Sequence, residues 1–381
     1  MKLLKSILGL LGGLLVGVII GALAGGLIVM VFTDTTFEEY IAKYNTIDLW
    51  EYAAAALVGV VSLVVSVTLL VPLHEGGHLI CGLASGYRFV SFRIFSLTWL
   101  KDNGRLRVKH YSIAGTGGQC LLSPPDIPLS RIPTALYNLG GIIANFAALL
   151  IAASLFLLDS NAFFKEFLAI FCLIDAFMLV LNGIPMPFGG INNDAYNVRM
   201  LRRSPESKRG FVIQLRSNAL IQSGVRPKDM PAEWFAIPDR INYANALEAA
   251  IPIMAASRLL DRKRYEEAYE AFEDLYSKRT EIMGLYVKEI QCELIYTALF
   301  TGRKDRARSL LNKEISEYIK SSRKNMSSKE RILCAIDLYL NDDYDSAYGI
   351  YTKLIENRDR YLLQGEVSSD IALMSEIFRR P

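Results

Sequence analysis

The sequence predicts a mainly α-helical, polytopic membrane protein: a bundle of about four transmembrane helices with a cytoplasmic β-hairpin and a C-terminal, all-α domain of helical repeats. Composition is the first observation, because 52% of the 381 residues are hydrophobic. The second is a series of uncharged runs long enough to cross a bilayer. The third is a change of character near Tyr243, after which these runs disappear and charged amphipathic helices follow.

Charge and cysteine usage limit the function classes. The net charge is only +3, so nothing in the composition indicates a nucleic-acid partner. Five cysteines are scattered through the chain without paired spacing, and at least two lie in or next to apolar helices. We therefore expect the cysteines to be buried thiols, which is consistent with a reducing cytosol. We expect neither disulfides nor a cysteine-bound metal.

The first uncharged run covers residues 6–32 and follows Lys2 and Lys5. A signal peptidase could cut after Ala24, but the apolar stretch continues past that point and is longer than a typical signal-peptide core. A retained anchor is therefore the preferred interpretation. Glycines recur every fourth residue from Gly9 to Gly25, which gives one smooth face for close helix packing. Residues 1–52 are expected to form this anchor and an outer loop.

The second uncharged run, residues 53–73, leads directly into His74-Glu75-Gly76-Gly77-His78. On a helix, His74 and His78 lie one turn apart on the same face, so both imidazoles can reach one zinc ion while Glu75 projects beside it. Two unrelated histidines are the alternative, but the chain has only three histidines in all. Imidazoles and a carboxylate at membrane depth are costly unless they have a function. The motif therefore predicts a zinc site with Glu75 as general base.

At this point the chain resembles the site-2 protease family of intramembrane zinc metalloproteases, over residues 53–198. That family carries HExxH at the end of one membrane helix and approximately N-x-x-P-x-P-x-x-D-G at the end of a later one. Here the second motif begins at Asn182 and reads NGIPMP. The usual spacing would place the aspartate at Gly190, whereas the first aspartate is Asp194, followed by Ala195 instead of glycine. The resemblance implies a four-residue insertion with Asp194 as the third metal ligand, and Asp175 is the alternative ligand.

The segment between residues 86 and 131 is basic, which by the positive-inside rule makes it cytoplasmic and places the site on the cytoplasmic side. Residues 87–100 and 105–113 are strand-like and flank Asp102-Asn103-Gly104, a strong hairpin signal. The family resemblance implies that such a sheet lies beside the active site, where an unwound substrate can add a strand. A purely connecting hairpin is the alternative.

Two later apolar runs, residues 132–158 and 167–181, are expected to be the third and fourth membrane helices. Intramembrane Asn138 and Asn145 either join helices or contact substrate, and Asp175 is a functional-site candidate by default. Asn182, with these three, is expected to support the ligands or touch substrate. A basic cluster after residue 198 then predicts a cytoplasmic exit and both termini inside the cell.

The C-terminal third is predicted to be a cytosolic helical-repeat domain, residues 243–381, reached through a basic linker, residues 199–242. Ala268, Ala307 and Ala347 recur at intervals of 39 and 40 residues, and each opens the second helix of an apparent hairpin. This period is similar to that of tetratricopeptide repeats, although their tryptophan and glycine signature is missing, and a plain helical bundle is the alternative. A concave repeat surface would bind a cytosolic peptide or protein partner.

Together the residues and the resemblance predict an intramembrane zinc metalloprotease in a prokaryotic cell membrane. Three protein ligands leave one zinc position open, as in catalytic sites, and Glu75 would take a proton from water. The expected substrates are membrane proteins or signal-peptide-like segments that unwind locally. The alternative, favoured by the shifted aspartate and Ala195, is a non-proteolytic membrane scaffold whose cytosolic repeats bind partners; a zinc transporter is a more distant third.

Overall fold

The computed structural model describes residues 36, 38, 49–102, 105–111, 116–159, 161–188 and 191–379. These residues are mostly helical and include one small antiparallel sheet of four strands. The chain forms two compact units: one holds the described residues up to Thr68 together with Leu149–Ile174, and the other holds Leu69–Ala148 and Asp175–Pro381. The predicted N-terminal anchor, residues 6–32, lies outside the described residues. Everything that follows about the candidate site concerns the second unit.

Three long apolar helices come first in the described chain: α1 (Leu49–Ala84), α2 (Ala135–Leu158) and α3 (Ala162–Gly183). Two described segments are long and apolar enough to cross a membrane, Ala56–Ala84 and Leu129–Leu158. Only 17% and 22% of their most apolar windows are buried, so most of their side chains face the surroundings of the protein. A helix suits such surroundings because it satisfies its own backbone hydrogen bonds. The described residues therefore contain two candidate membrane spans, and the four expected from the sequence remain a prediction.

The sheet contains strands β1 (Arg88–Ile94), β2 (Leu97–Asp102), β3 (Arg105–His110) and β4 (Gly118–Ser123). Their order is β3-β2-β1-β4, and every neighbouring pair is antiparallel. The outer strand β4 is therefore joined to the sheet through β1 alone. One edge of β4 is left without a strand partner among the described residues.

The observed sheet differs from the predicted hairpin in three respects. The single strand expected over residues 87–100 is two strands, because the chain reverses at Phe95, whose φ of 52° lies in the left-handed region. A non-glycine residue rarely adopts this conformation, and the apolar pattern continues through the turn, so the sequence does not reveal it. The strand expected over residues 105–113 ends at His110, and β4 was not predicted at all.

Two very short strands, β5 (Pro187–Phe188) and β6 (Ile191–Asn192), separate α3 from the remaining helices. Those helices are α4 (Asp194–Arg203), α5 (Pro205–Gln222), α6 (Ala246–Asp261), α7 (Tyr265–Ser277), α8 (Gly284–Phe300), α9 (Lys304–Leu310), α10 (Lys313–Ser322), α11 (Ser327–Tyr339), α12 (Tyr344–Glu356) and α13 (Gln364–Ile377). Helix α5 lies inside the stretch expected to be a linker. It buries Phe211, Val212 and Leu215 against Leu122 of β4, so this stretch is packed structure.

Consecutive helices of the C-terminal region pack in pairs, α6 with α7, α8 with α9, and α11 with α12. Ala268, Ala307 and Ala347 lie on the second helix of these pairs and are completely buried. Their small side chains let the paired helices approach closely. The alanine spacing in the sequence therefore marks a real structural repeat, whether the pairs are described as a solenoid or as a bundle.

The repeat region and the sheet are joined by direct contacts. Lys109 on β3 donates a hydrogen bond through Nζ to the backbone oxygen of Tyr361, at 3.0 Å. Helix α5 packs against β4 on one side and against α6 and α13 on others. Since the same helix touches both parts, the sheet and the repeats belong to one compact unit.

A group of carboxylates lies on the inner helices of the repeat region. Burial of the Glu366 carboxyl, together with the charges of Asp370, Glu289 and Glu293, raises its pKa to about 8, although Lys329 opposes the shift. Glu366 therefore carries a proton in the folded protein at neutral pH. In the unfolded chain the same group ionises near pH 4.5.

This difference predicts a pH-dependent stability. Between about pH 4.5 and 8 the folded protein holds one more proton at Glu366 than the unfolded chain does, so the free energy of unfolding falls with rising pH, by at most about 1.4 kcal/mol per pH unit. Thermal unfolding of the wild type and of Glu366→Gln, followed by circular dichroism from pH 5 to 9, should show a shallower decline for the variant. The control is Glu376→Gln, because a hydrogen bond from Lys263 lowers the pKa of Glu376. Parallel curves for wild type and Glu366→Gln would contradict the assignment.

Candidate metal centre

The two motif histidines are held side by side on α1. Their Nε2 atoms lie 3.2 Å apart, and both side chains are buried. The ring centroids are 4.8 Å apart with the planes nearly perpendicular. One helical turn between His74 and His78 places both rings on the same face, as the sequence predicts.

The opposite ring nitrogens are fixed by helix α2. His78 Nδ1 lies 2.8 Å from the backbone oxygen of Tyr137, and His74 Nδ1 lies 2.7 Å from Oδ1 of Asn145. A carbonyl oxygen can only accept, so each Nδ1 carries the proton and donates it. In a neutral imidazole with this proton placement, the lone pair available to a metal is on Nε2. This is the tautomer that a metal-binding histidine needs.

Asp175 lies behind Asn145 and not among the metal ligands. Asn145 Nδ2 donates to Asp175 Oδ1 at 2.5 Å, and Asp175 is completely buried. The carboxylate thus orients the amide, and the amide orients the imidazole of His74. Asp175 is the alternative third ligand suggested by the sequence. In the structure it supports the site indirectly, because it contacts Asn145, which in turn contacts His74.

Asp194 is the carboxylate that reaches both imidazoles. Its Oδ2 lies 3.2 Å from His74 Nε2 and 3.3 Å from His78 Nε2. The same oxygen is buried and has no hydrogen-bond partner. The three ligand atoms lie within 4.8 Å of one another, and His74, His78 and Asp194 can therefore hold a metal ion. A buried, unpartnered carboxylate oxygen between two oriented imidazoles is the arrangement that a bound cation would satisfy.

Asp194 is positioned by its neighbour Asn193. Strands β5 and β6 pair antiparallel with each other between α3 and α4. Asn193 caps the start of α4, where its Oδ1 accepts a hydrogen bond from the backbone nitrogen of Tyr196 at 2.9 Å. Asp194 is consequently the first residue of a helix whose position is set by the cap.

The other contacts of the Asn193 side chain reach back to the end of α3. Its Nδ2 donates to the backbone oxygens of Leu181 and Ile184, each at 2.6 Å, and its Oδ1 also accepts from the backbone nitrogen of Met186 at 3.3 Å. One buried side chain therefore ties the proline-containing turn to α4. The sequence analysis missed Asn193, although an asparagine directly before the first residue of a helix is a recognisable cap signal.

Close approach of α1 and α2 depends on glycines. A Cβ atom on Gly77 would lie 2.2 Å from the backbone oxygen of Gly140, so neither position has room for a side chain. A Cβ atom on Gly141 would lie 2.4 Å from His74 Cε1 and 2.6 Å from His78 Nε2. The glycine pair thus lets the backbones touch, and Gly141 leaves the space that the imidazoles occupy.

Glu75 faces the edge strand. A Cβ atom on Gly118, the first residue of β4, would lie 2.4 Å from Glu75 Cγ and 2.7 Å from its Oε1. Glu75, the three ligands and residues 116–120 line one cavity of about 430 Å³. Asn138 and Asn182 also line it. Asn138 donates to the backbone oxygen of Thr134, directly before α2, and Asn182 donates to that of Met178 on its own helix. The structure therefore brings every predicted site residue into or directly behind one cavity.

Loss of the Asn193 side chain should weaken metal binding without unfolding the protein. We expect Asn193→Ala to lower zinc affinity about 10- to 100-fold, the range for residues that orient metal ligands, because Asp194 is no longer tied to the end of α3. Zinc titration of the detergent-purified protein measures this. The matched control is Asn312→Ala, which removes an equivalent cap at the start of α10, remote from the site. Equal affinities for wild type and Asn193→Ala would show that Asn193 does not position the ligand.

Removal of the Asn145 amide should act through the imidazole of His74. Asn145→Ala leaves His74 Nδ1 without its acceptor, and we expect a fall in zinc affinity of similar size, about 10- to 100-fold. Asn138→Ala is the control, because Asn138 also lies on α2 and lines the cavity but donates to the backbone oxygen of Thr134, directly before α2. A larger effect in the control than in Asn145→Ala would contradict the proposed orientation of His74.

Comparison with protein-family models, curated proteins and solved structures finds no match to this chain. The resemblance to site-2 proteases therefore remains a prediction carried by the two motifs. The function of the site has to follow from its own residues: two oriented imidazoles, one carboxylate oxygen without a hydrogen-bond partner and a glutamate that faces strand β4.

Proposed function

We propose that this protein is an intramembrane zinc metalloprotease that hydrolyses peptide bonds within or near the membrane segments of other proteins. The observation that carries the proposal is the position of Glu75, which lies beside a metal-competent ligand group and faces β4, where it accepts a hydrogen bond from the backbone of Cys120. A purely structural metal site has no use for a carboxylate at this place. A scaffold without catalytic activity leaves Glu75 equally unexplained.

Zinc is the metal that the ligand set fits best. His74, His78 and Asp194 supply two nitrogens and one oxygen, a set with one position open in a tetrahedral geometry, as in catalytic zinc sites. When bound, zinc would supply a Lewis acid that polarises a carbonyl and lowers the pKa of water.

Glu75 acts as the general base and then as the general acid. It takes the proton of the attacking water and transfers it to the amine that leaves when the peptide bond breaks. Asn145 and Asp175 keep His74 in the tautomer that leaves Nε2 free, and the Tyr137 carbonyl does the same for His78. Water reaches Glu75 through the cavity that the ligands line.

The edge of β4 that has no described strand beside it is the proposed substrate-binding surface. The Cys120 backbone on this strand already bonds to Tyr137 and Glu75, so a substrate would pair with the rest of the strand. A helical segment shields its amides by internal hydrogen bonds, so it must unwind before a peptide bond can be attacked. An extended substrate can pair with β4 through main-chain hydrogen bonds, which require no particular sequence. The edge used is thus β4, which neighbours Glu75, and not the β2–β3 hairpin predicted from the sequence.

The membrane setting follows from the exposed apolar surface. Leu57, Val64 and Ile80 on α1 are 65%, 58% and 70% exposed, which suits lipid better than water. We propose a multi-pass protein of a prokaryotic cell membrane with four spans, in which both termini, the site and the helical repeats face the cytoplasm. The repeats would then select a substrate or a cytosolic partner.

The proposal is tested by zinc content and peptide cleavage measured on the same preparations. Wild type is expected to hold about one zinc ion per chain, the stoichiometry of one three-ligand site, and His78→Ala and Asp194→Ala to hold none. Glu75→Gln should keep the metal and lose at least about 100-fold in cleavage of a reconstituted single-pass substrate whose membrane segment contains glycine and proline.

A glycine substitution separates catalysis from metal binding in a second way. Gly118→Ala should displace the Glu75 side chain and reduce cleavage while zinc is retained. Gly284→Ala is the matched control, because a Cβ atom there meets nothing within 4 Å. A folded wild type that binds no metal would reject the protease and favour the scaffold; full activity in Glu75→Gln would reject the role of Glu75.

A further inference from the structure

A second cavity lies in the repeat region, between α10, α11, α12 and the turn that follows α12. Its volume is about 350 Å³, within the range of small-molecule sites. Five of the residues that line it are cations: Lys320, Arg323, Lys324, Lys353 and Arg360. Only one carboxylate, Glu330, is found in the same lining.

The single carboxylate is already used. Arg323 donates to Glu330 through Nε at 3.1 Å and through Nη2 at 2.7 Å, which makes a two-pronged pair. Arg360 lies farther from this carboxylate, at 3.9 Å, and donates instead to the backbone oxygen of Arg323. One positive charge of the five is thus balanced by Glu330.

Three lysines remain without an acidic partner. In the described part of the chain, no carboxylate lies within ion-pair distance of Lys320, Lys324 or Lys353. They come from separate segments, α10, the turn before α11, and α12, yet all line the same concavity. Like charges gathered in a concave site raise the local potential and attract an anion. With Arg360, four cations are available to it.

The rest of the lining gives the cavity a firm base. Leu354 and Tyr361 are buried, and the guanidinium of Arg360 lies 4.8 Å from the centre of the Tyr361 ring. A hydrogen bond from the Tyr361 hydroxyl to the Arg323 backbone oxygen, at 3.2 Å, joins the two sides of the cavity. Lys320 and Lys353 lie on helices and Lys324 and Arg360 lie in turns, and all four side chains are exposed to solvent at the mouth of the cavity.

We propose that this cavity binds an anion carrying two or more phosphate groups. Lysine is a common phosphate ligand as a compact point charge, and a planar guanidinium can contact two phosphate oxygens at once. Four cations match the three to four negative charges of a diphosphate better than the single charge of a carboxylate. The volume of about 350 Å³ suits a compact polyanion.

The cavity also adjoins the contact between the repeats and the sheet. Tyr361 lines it, and the backbone oxygen of the same residue accepts the hydrogen bond from Lys109 on β3. A ligand that orders the turn after α12 would therefore order one wall of that contact. The phosphate groups can belong to a soluble metabolite or to a lipid head group, and the binding chemistry is the same for both.

Calorimetric titration of the full-length, detergent-purified protein with inorganic pyrophosphate tests the proposal. We expect saturable binding that is tighter than that of sulfate and weakens with salt. Lys324→Gln combined with Lys353→Gln should weaken it about tenfold or more, since two charged contacts are lost. Lys313→Gln is the matched control, because Lys313 is exposed on α10 but does not line the cavity. Unchanged unfolding midpoints in all variants exclude misfolding as the cause.

The outcomes are distinct. Pyrophosphate could also bind to a metal held by His74 and His78, and that binding would persist in the lysine variant. A heat of pyrophosphate binding that is the same in the wild type and the lysine variant therefore overturns the proposal. Pyrophosphate binding no tighter than sulfate binding overturns it as well. A second measurement, cosedimentation with phosphatidylglycerol vesicles carrying a diphosphate-bearing lipid, identifies the source. If the wild type binds the vesicles, pyrophosphate competes with this binding and the lysine variant does not bind, the ligand is a lipid head group. If the protein binds pyrophosphate but not the vesicles, the ligand is a soluble anion.

Discussion

The contact between the backbones of Gly77 and Gly140 is the constraint on which the candidate site depends. With a side chain at either position the two helices would have to separate, and α2 would no longer hold the imidazoles of α1. The acceptors for both histidines, the Tyr137 carbonyl and the Asn145 amide, lie on the same helix. Close packing of the two apolar helices therefore orients both rings and keeps a proton on each Nδ1, so that the Nε2 atoms face Asp194.

The remaining parts of the site are brought to this helix pair from outside it. Helix α4 supplies Asp194 through the cap and turn that Asn193 holds together. Strand β4 supplies the wall against which Glu75 lies, and α5 holds β4 in place through the core around Leu122. The repeat region supports α5 through α6 and α13, so the C-terminal helices contribute to the stability of the site.

The sequence was informative where a local pattern carries the structure. The helical spacing of His74 and His78, the alanine repeat and the extent of α2 need only periodicity and composition, and the structure has them as expected. It was uninformative where distant parts of the chain meet. The turn at Phe95 interrupts an apolar pattern, β4 pairs with β1 although β2 and β3 lie between them in the chain, and the choice between Asp175 and Asp194 depends on which carboxylate the fold carries to the imidazoles.

The position of Asp194 does not depend on the path of the chain between α3 and α4. In that segment β5 and β6 pair with each other, while the Asn193 side chain bonds directly to the backbone at the end of α3. Motif spacing is therefore a property of a particular loop, whereas the location of a ligand is a property of the elements on either side. A metal site built in this way can keep the positions of its three ligand atoms when the loop between its elements changes in length.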